Sequence, residues 1–191
     1  MEQHASAITK SCFHQIRNIG RIRSYITLDA CKTLVCSLVT SRMDYGNALM
    51  YSVNALIVSK FQRVQNTAAR LVTRKKKYEH ITPTIVALHW LAFKFRCQYK
   101  LLLYAFNALH GLAPSYLGEL IHFYKPAQSL RSQSAALIEM PKNPRTKIYG
   151  ERRLDVSTAT LWNSLPASLR NEQSIEAFKN RFCEMSIDLD L

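Results

Sequence analysis

Apolar residues recur at steps of three and four along much of the chain, which is the spacing of one face of an α-helix. The first segment with this spacing has its apolar side at Ile8, Cys12, Ile16, Ile19, Ile22 and Ile26. At about 100° per residue, four polar side chains fall within about 60° of one another on the opposite side: Lys10, His14, Arg17 and Arg21. The pattern predicts a first helix with a core side and a cationic side.

Two more helices are predicted before residue 75. Thr27 is a suitable N-cap for a helix over about residues 28–40, and Tyr45-Gly46-Asn47 then marks a turn or kink. A third helix, over about residues 55–74, has an apolar seam at Ile57, Phe61, Val64, Ala68 and Leu71. Its flank carries a second row of cations: Lys60, Arg63, Arg70 and Arg74.

The rest of the chain alternates helical and irregular patterns. A helix over about residues 94–110 ends at Gly111 before Pro114, and Ser115 is predicted to cap a short helix through Tyr124. Between residues 125 and 153 the pattern breaks, and residues 136–140 and 146–149 could pair as a short β-hairpin. Helical spacing returns over residues 156–165 and 174–185. The predicted fold class is mainly α, a multi-helical bundle followed by a small helical C-terminal unit.

The charge balance points to a polyanionic partner. The 191 residues contain 26 Lys+Arg and 13 Asp+Glu, a formal net charge of +13. Residues 1–80 carry 13 basic and 4 acidic side chains, whereas residues 151–191 carry 5 and 7. Such an excess attracts nucleic acid first, with anionic membrane and acidic protein as weaker alternatives.

Four consecutive cations follow the third predicted helix. In isolation, such a run is usually a hydrated helix end that complements the helix dipole. Because two helices also carry aligned cations, we favour phosphate contact, in which grouped contacts release counterions additively. The predicted nucleic-acid-binding residues are Lys10, Arg17, Arg21, Arg42, Lys60, Arg63, Arg70, Arg74, Lys75, Lys76 and Lys77.

Aromatic residues next to cations are candidates for stacking on unpaired bases. Tyr25, Tyr45 and Tyr78 have such neighbours, although core packing is the commoner role for any one tyrosine. Trp90 and Trp162 lie in apolar settings, so we assign them to the core.

The sequence lacks the patterns of a catalytic or metal site. Asp44 has no acidic neighbour in sequence, whereas two-metal phosphoryl transfer needs at least two converging carboxylates. We therefore interpret Asp44 as a turn or cap residue, or as a partner for Arg42. The histidines and cysteines lack zinc spacing, and five scattered glycines make no phosphate loop. We predict no catalytic residue, metal or cofactor.

The cysteines and the apolar segments indicate an intracellular protein. Five cysteines in apolar patterns, without a Cys-x-x-Cys pair, are expected to be reduced core thiols. No signal-peptide pattern or apolar stretch of membrane-spanning length is present. The expected location is the nucleus or cytoplasm, without secretion or a membrane partner.

Several blocks of sequence together resemble a known family. In chain order they are SRMDYGNALMY (41–51), FQRVQNTAARLV (61–72), HITP (80–83), LHWL (88–91), ALHGLAPSYL (108–117) and LWNSLPASLR (161–170). Over about residues 8–185 they resemble the C-terminal region of reverse transcriptases from LINE-type (non-LTR, jockey-like) retrotransposons. Two segments depart from the family pattern: Ala92 stands where Pro is usual, and residues 154–160 differ from the usual Phe-Ser-x-Ala-Ala-Pro.

The resemblance implies a domain organisation. It suggests a thumb-like basic helical unit over residues 1–80, a helical continuation over 81–125, an irregular linker or hairpin over 126–155 and a C-terminal helical segment over 156–191. In that family the catalytic aspartates of the palm lie upstream of this region. The resemblance therefore implies a truncated, non-catalytic remnant whose ancestral surface faced template RNA and its primer duplex.

Two hypotheses from different classes follow. The first is sequence-independent binding of RNA or an RNA–DNA hybrid through the basic helices, with no small-molecule substrate. The alternative is a protein-interaction or structural helical fragment, which would self-associate through exposed apolar faces. A free-standing enzyme would need polar groups converging in a pocket, and no motif indicates one.

Overall fold

The computed structural model describes residues 1–125, 136–141 and 153–188. The fold is mainly α, as predicted. The chain forms two units, the first comprising Met1–Arg96 and the chain end from Ile187, and the second comprising Cys97–Ser186. The division into four segments that the family resemblance implies stays a prediction.

The first unit is built from helices joined by short turns. Its helices are α1 (Glu2–Ile22), α2 (Leu28–Val35), α3 (Ser41–Asp44), α4 (Ala55–Thr73), α5 (Thr82–Ala87) and the start of α6 (Phe93–Leu109). A π-helical turn, Cys36–Thr40, joins α2 to α3, and a 3₁₀ turn, Asn47–Met50, precedes α4. Helix α5 was not predicted from the sequence.

The predicted second helix is regular only as far as Val35. Its N-cap is confirmed, since Thr27 Oγ1 accepts a hydrogen bond from the Ala30 amide at 3.3 Å. A row of hydroxyls then donates to backbone carbonyls four residues earlier, from Thr33 to Asp29 at 3.0 Å and from Ser37 to Thr33 at 2.9 Å. Such bonds compete with the helical ladder and bend helices, which accounts for the irregular turn that follows.

The apolar sides predicted for the first and third helices form the core of this unit. On α1, Cys12, Ile16 and Ile19 are buried, but Ile22 is 45% exposed because the helix ends there. The prediction that Ile22 belongs to the core is therefore wrong. On α4 the seam is confirmed for four of its five predicted residues, Ile57, Phe61, Val64 and Ala68, which are buried, whereas Leu71 is half-buried.

Helix α4 also anchors the beginning of α6. The Phe61 and Phe93 rings stack with centroids 4.4 Å apart, and both side chains are buried. Gln62 Oε1 accepts a hydrogen bond from the Phe93 amide at 2.9 Å. Gln65 Nε2 donates to the Leu91 carbonyl at 2.7 Å, so a buried amide pairs with the loop before α6.

The second unit surrounds an aromatic core. Besides the rest of α6, the helices among its described residues are α7 (Ser115–Gly118), α8 (Leu154–Asn163), α9 (Ala167–Arg170) and α10 (Ile175–Asp188). Trp162, Phe178 and Phe106 are buried and packed ring on ring. Trp162 Nε1 also donates to the Ala136 carbonyl at 2.8 Å, so the core role predicted for this residue is confirmed. Trp90, in the first unit, is only half-buried.

The segment after α7 differs from its prediction. The helix that begins at Ser115 ends at Gly118, because the following backbone turns into an antiparallel bridge between Phe123 and Ile138. The Tyr124 amide donates to the Leu137 carbonyl at 2.8 Å in this bridge. The predicted helix through Tyr124 is therefore wrong. Residues 146–149, the predicted second strand of the hairpin, lie outside the described residues.

The cysteines are all free thiols. Cys12, Cys31 and Cys97 are buried and Cys183 is half-buried, but Cys36 is exposed, so the prediction of a core position is wrong for Cys36. Burial raises the pKa of the Cys12 and Cys31 thiols. Part of that rise is offset by nearby guanidinium groups, Arg42 for Cys12 and Arg23 and Arg74 for Cys31.

Thiol labelling should follow this difference in burial. We expect iodoacetamide at pH 8 to modify Cys36 at least tenfold faster than Cys12 or Cys31, since the attacking thiolate must form and be accessible. Peptide mass spectrometry over time measures the rates. Equal labelling of Cys12 and Cys36 in the folded protein would contradict the described packing of α1 and α2.

Removing the Phe61 ring should destabilise the first unit. We expect Phe61→Ala to lower the free energy of unfolding by about 3–5 kcal/mol, because it leaves a cavity and removes the stack on Phe93. Leu56→Ala on the exposed side of the same helix is the control, with a loss below about 0.5 kcal/mol. Urea unfolding measures both, and similar losses in the two variants would argue against the buried seam.

Candidate nucleic-acid interface

Helices α1 and α4 pack side by side and run in the same direction. Near their N-terminal ends, Lys60 Nζ donates to Ser6 Oγ at 3.5 Å. Near their C-terminal ends, the Arg23 guanidinium donates to the Leu71 carbonyl at 3.0 Å and to the Val72 carbonyl at 2.8 Å. Arg23 thus satisfies carbonyls that the last turn of α4 leaves unpaired.

A groove runs between these two helices and consists of two adjoining depressions. One has a volume of about 300 Å³ and is lined by Thr9, Phe13, Lys60, Arg63, Asn66, Thr67 and Arg70. The other has a volume of about 420 Å³ and is lined by Lys10, Phe13, Ile16, Arg17 and Thr67. Since they share Phe13 and Thr67, we treat them as one feature, the α1–α4 groove. Its lining includes five cations and no carboxylate.

The cations of the α1–α4 groove are not neutralised by acidic partners within the described residues. The ion pairs among the described residues all involve other side chains. They join Lys32 to Asp29, Arg96 to Asp44, Arg153 to Asp155 and Arg181 to Glu172. In the described part of the chain, Lys10, Arg17 and Arg63 are exposed and have no hydrogen-bond or ion-pair partner. These three side chains are therefore available to an anion from solution.

The two remaining groove cations hold polar groups of the protein. Lys60 contacts Ser6 as described, and Arg70 Nη2 donates to the Glu79 carbonyl at 3.3 Å. Arg70 Nε is buried without an acceptor in the described residues. An unpaired buried donor costs free energy.

Arg21 and Arg42 lie outside the groove lining. Arg21 is exposed one turn beyond Arg17 on the same side of α1, so it extends that row of cations. Arg42 donates to Ser11 Oγ. Around the axis of α1, Ser11 lies about 100° from Lys10 in one direction, whereas Phe13 lies about 60° away in the other. Arg42 therefore approaches α1 on the flank away from the groove.

The run Arg74, Lys75, Lys76 and Lys77 follows the end of the groove and does not line it. Helix α4 ends at Thr73, and Arg74 adopts a left-handed conformation with φ of 57°. The Arg74 guanidinium donates to the Arg23 carbonyl at 3.0 Å. Lys76 Nζ lies 5.9 Å from the Tyr78 ring centroid, and the Lys76 amide donates to the Glu79 carboxylate at 2.6 Å. The run thus contributes partly to the structure of the helix end.

The three candidate stacking residues are exposed tyrosines. Tyr25 is 87% exposed, and Tyr45 and Tyr78 are each 80% exposed. Such rings are accessible to a base, but none of them lines the groove. Their contact with nucleic acid stays a prediction.

Asp44 is a structural residue with a different partner from the one predicted. Its carboxylate accepts hydrogen bonds from the Arg96 guanidinium, with Nε at 2.9 Å, and from Asn47 Nδ2 at 3.2 Å. The prediction of a pair with Arg42 is therefore wrong, since Arg42 binds Ser11 instead. The pair with Arg96 connects α3 to the start of α6.

Sequence reasoning missed the uncharged lining of the groove: Thr9, Phe13, Asn66 and Thr67. Phe13 did not belong to the apolar row of α1, and the other three carry no charge. Each lies within four residues of a groove cation on the same helix. Helical spacing from those cations was the one signal that pointed to them.

Comparisons with other proteins leave this interface as the main guide to function. No protein-family model matches the chain, and no match was found among curated proteins or solved structures. Within the described residues, no helix has both the length and the apolar character needed to cross a bilayer. The described His, Cys, Asp and Glu side chains also form no group of three that could hold a metal ion.

Arg23 should stabilise the fold through its fork of hydrogen bonds and not through its charge. We expect Arg23→Lys to lower the free energy of unfolding by about 1.5–3 kcal/mol, because a lysine cannot reproduce the bonds to Leu71, Val72 and Ile26. Arg21→Lys, which also keeps the charge, should change it by less than about 0.5 kcal/mol. Chemical denaturation measures both variants. Equal effects would contradict the capping role.

Proposed function

We propose that this chain binds RNA or an RNA–DNA duplex, without sequence preference, through the α1–α4 groove. We further propose that it is a non-catalytic segment related to the reverse transcriptases of non-LTR retrotransposons. The observation that carries the binding proposal is the meeting of five cations from two helices in one groove without a lining carboxylate. The sequence blocks quoted above support the proposed ancestry.

The size of the groove suits a nucleic-acid backbone. Lys60 and Arg70 are ten residues apart on α4, which is about 15 Å at 1.5 Å per residue. One strand of a duplex carries a phosphate about every 3.4 Å of axis, so this length offers about four phosphates to five cations. Each neutralised phosphate releases counterions, which gives binding its free energy and its salt dependence.

The lack of sequence preference follows from the chemistry of the lining. Lysine and arginine contacts to phosphates position a nucleic acid but carry no information about its bases. The cations of the groove are at the surface of two rigid helices, and this arrangement requires no large reordering on binding. Net attraction from the charge of +13 would also accelerate the encounter.

A second candidate function is supported by the second unit. Among its described residues, the large apolar side chains that are exposed are Leu112, Tyr116, Leu120, Phe123, Tyr124 and Met140. Apolar surface of this kind marks protein contacts when it is contiguous. A protein-interaction fragment would form concentration-dependent oligomers in analytical ultracentrifugation and bind no nucleic acid.

Binding should depend on the groove cations and on salt. We expect a labelled structured RNA to bind with a log–log salt slope of about −3 to −4. The variant Lys10→Gln/Arg17→Gln/Arg63→Gln should reduce the magnitude of that slope by about 2–3, since three phosphate contacts are lost. These side chains are exposed, so the fold should be retained. Filter binding between 25 and 200 mM salt measures the slope.

The matched control removes the same charge elsewhere. Lys100→Gln/Lys125→Gln/Lys179→Gln takes three cations from the second unit and should change the slope by less than one. Equal losses in the two triple variants would contradict a localised interface. Failure to bind RNA at low salt, or equally strong binding of polyglutamate, would reject the proposed function.

A further inference from the structure

We infer that the strand held in the α1–α4 groove is unpaired, with one base stacked on Phe13 and the neighbouring phosphates on the cations at either side. This inference rests on the proposed function and deepens it, because it names single-stranded nucleic acid as the class of ligand. It also assigns a contact to a residue that no charge or motif singled out.

Phe13 lies at the centre of the groove. It is the aromatic residue that lines both depressions, and its side chain is half-buried, so one part of the ring is available to a ligand. Ile16, another lining residue, is buried in the core and so forms a fixed base of the groove. A base placed on this ring would stack on a support that is already rigid, so little conformational entropy is lost.

The cations are spaced evenly about this centre. On α1, Lys10 precedes Phe13 by three residues and Arg17 follows it by four, so both lie on nearly the same side of the helix. On α4, Arg63 precedes Thr67 by four residues and Arg70 follows it by three. Phe13 and Thr67, shared by the two depressions, therefore have a cation before and after them on each wall. A strand with its base on Phe13 would place its flanking phosphates near these cations.

One further donor is suited to a phosphate in the groove. Asn66 Oδ1 accepts a hydrogen bond from Gln62 Nε2 at 2.8 Å, which orients the Asn66 amide and leaves its N–H groups for another acceptor. Phosphate oxygens accept hydrogen bonds from such amide groups.

The lining of the groove favours an unpaired strand over a duplex, since the Phe13 ring lies between the groove cations and offers an apolar surface to a base. In a duplex, each base face is covered by its neighbours, and only the phosphates could touch the rims of the groove. An unpaired base exposes its π face and can reach the Phe13 ring.

The test compares ligands of equal charge and one conservative variant. Fluorescence anisotropy would use labelled 12-nucleotide oligo(U), a 12-mer with the same phosphates but abasic sugars, and a fully paired hairpin. We expect wild type to bind oligo(U) about fivefold to 100-fold more tightly than the abasic strand, the range for one stacked base. Phe13→Leu should lose most of this difference for oligo(U), keep its affinity for the abasic strand and leave the salt slope unchanged.

Controls separate this inference from the proposed function. Phe123→Leu, an exposed aromatic of the second unit, should bind all ligands like wild type. Equal wild-type affinity for oligo(U) and the abasic strand, a result that needs no variant, would overturn the stacking contact. So would wild-type binding of oligo(U) by folded Phe13→Leu. Tighter binding of the hairpin would overturn the single-strand assignment but keep the proposed function, whereas no binding of any nucleic acid at low salt would remove both.

A DNA ligand tests whether the sugar of the strand contributes to binding. Oligo(dT) should bind within about tenfold of oligo(U), because neither phosphate contact nor stacking uses the 2′-hydroxyl. A preference for oligo(U) well beyond tenfold would overturn the assignment of affinity to the phosphates and the Phe13 ring.

Discussion

The parallel packing of α1 on α4 is the constraint on which the interface depends. Each helix has a buried side, with Cys12, Ile16 and Ile19 on α1 and Phe61 and Val64 on α4. Each also carries cations beside that buried side. Once the apolar sides are packed, the rotation of each helix about its axis is fixed, and the cations become the facing walls of one groove. Hydrophobic burial, which is non-directional by itself, thus positions charges through helical spacing.

Gathering like charges opposes folding, and the structure manages this cost in two ways. Lys10, Arg17 and Arg63 stay exposed, where hydration and salt screen their repulsion. Other cations serve the fold, as Arg23 does at the C-terminal end of α4 and Arg96 does beside Asp44. The first set has no side-chain partner in the described residues, whereas Arg23 and Arg96 bind groups of the protein. Lys60 and Arg70 combine both roles, since each lines the groove and also donates to the protein.

The basic run after α4 illustrates why clusters in sequence and clusters in space differ. Arg74 turns away in a left-handed conformation and binds the Arg23 carbonyl, so it fastens the ends of α1 and α4. Arg70, one turn earlier, lines the groove. Four adjacent cations therefore contribute less to the groove than five cations of two helices that are separated by about 50 positions along the chain. Contact between such distant residues depends on how the helices pack, and a local cluster of charges in the sequence does not predict it.

The mainly α fold, most of the seam of α4 and the cationic sides of α1 and α4 could be predicted from the sequence, because helical periodicity is local and relates residues three and four positions apart. The tertiary structure was needed to show that Phe13 and Thr67 share a groove, that Asp44 pairs with Arg96 and that Ile138 bridges to Phe123. It also showed that Arg42 lies away from the groove cations. These relations join separate elements, and their free energy depends on how whole faces pack and on which backbone groups remain unpaired, so no local spacing specifies them.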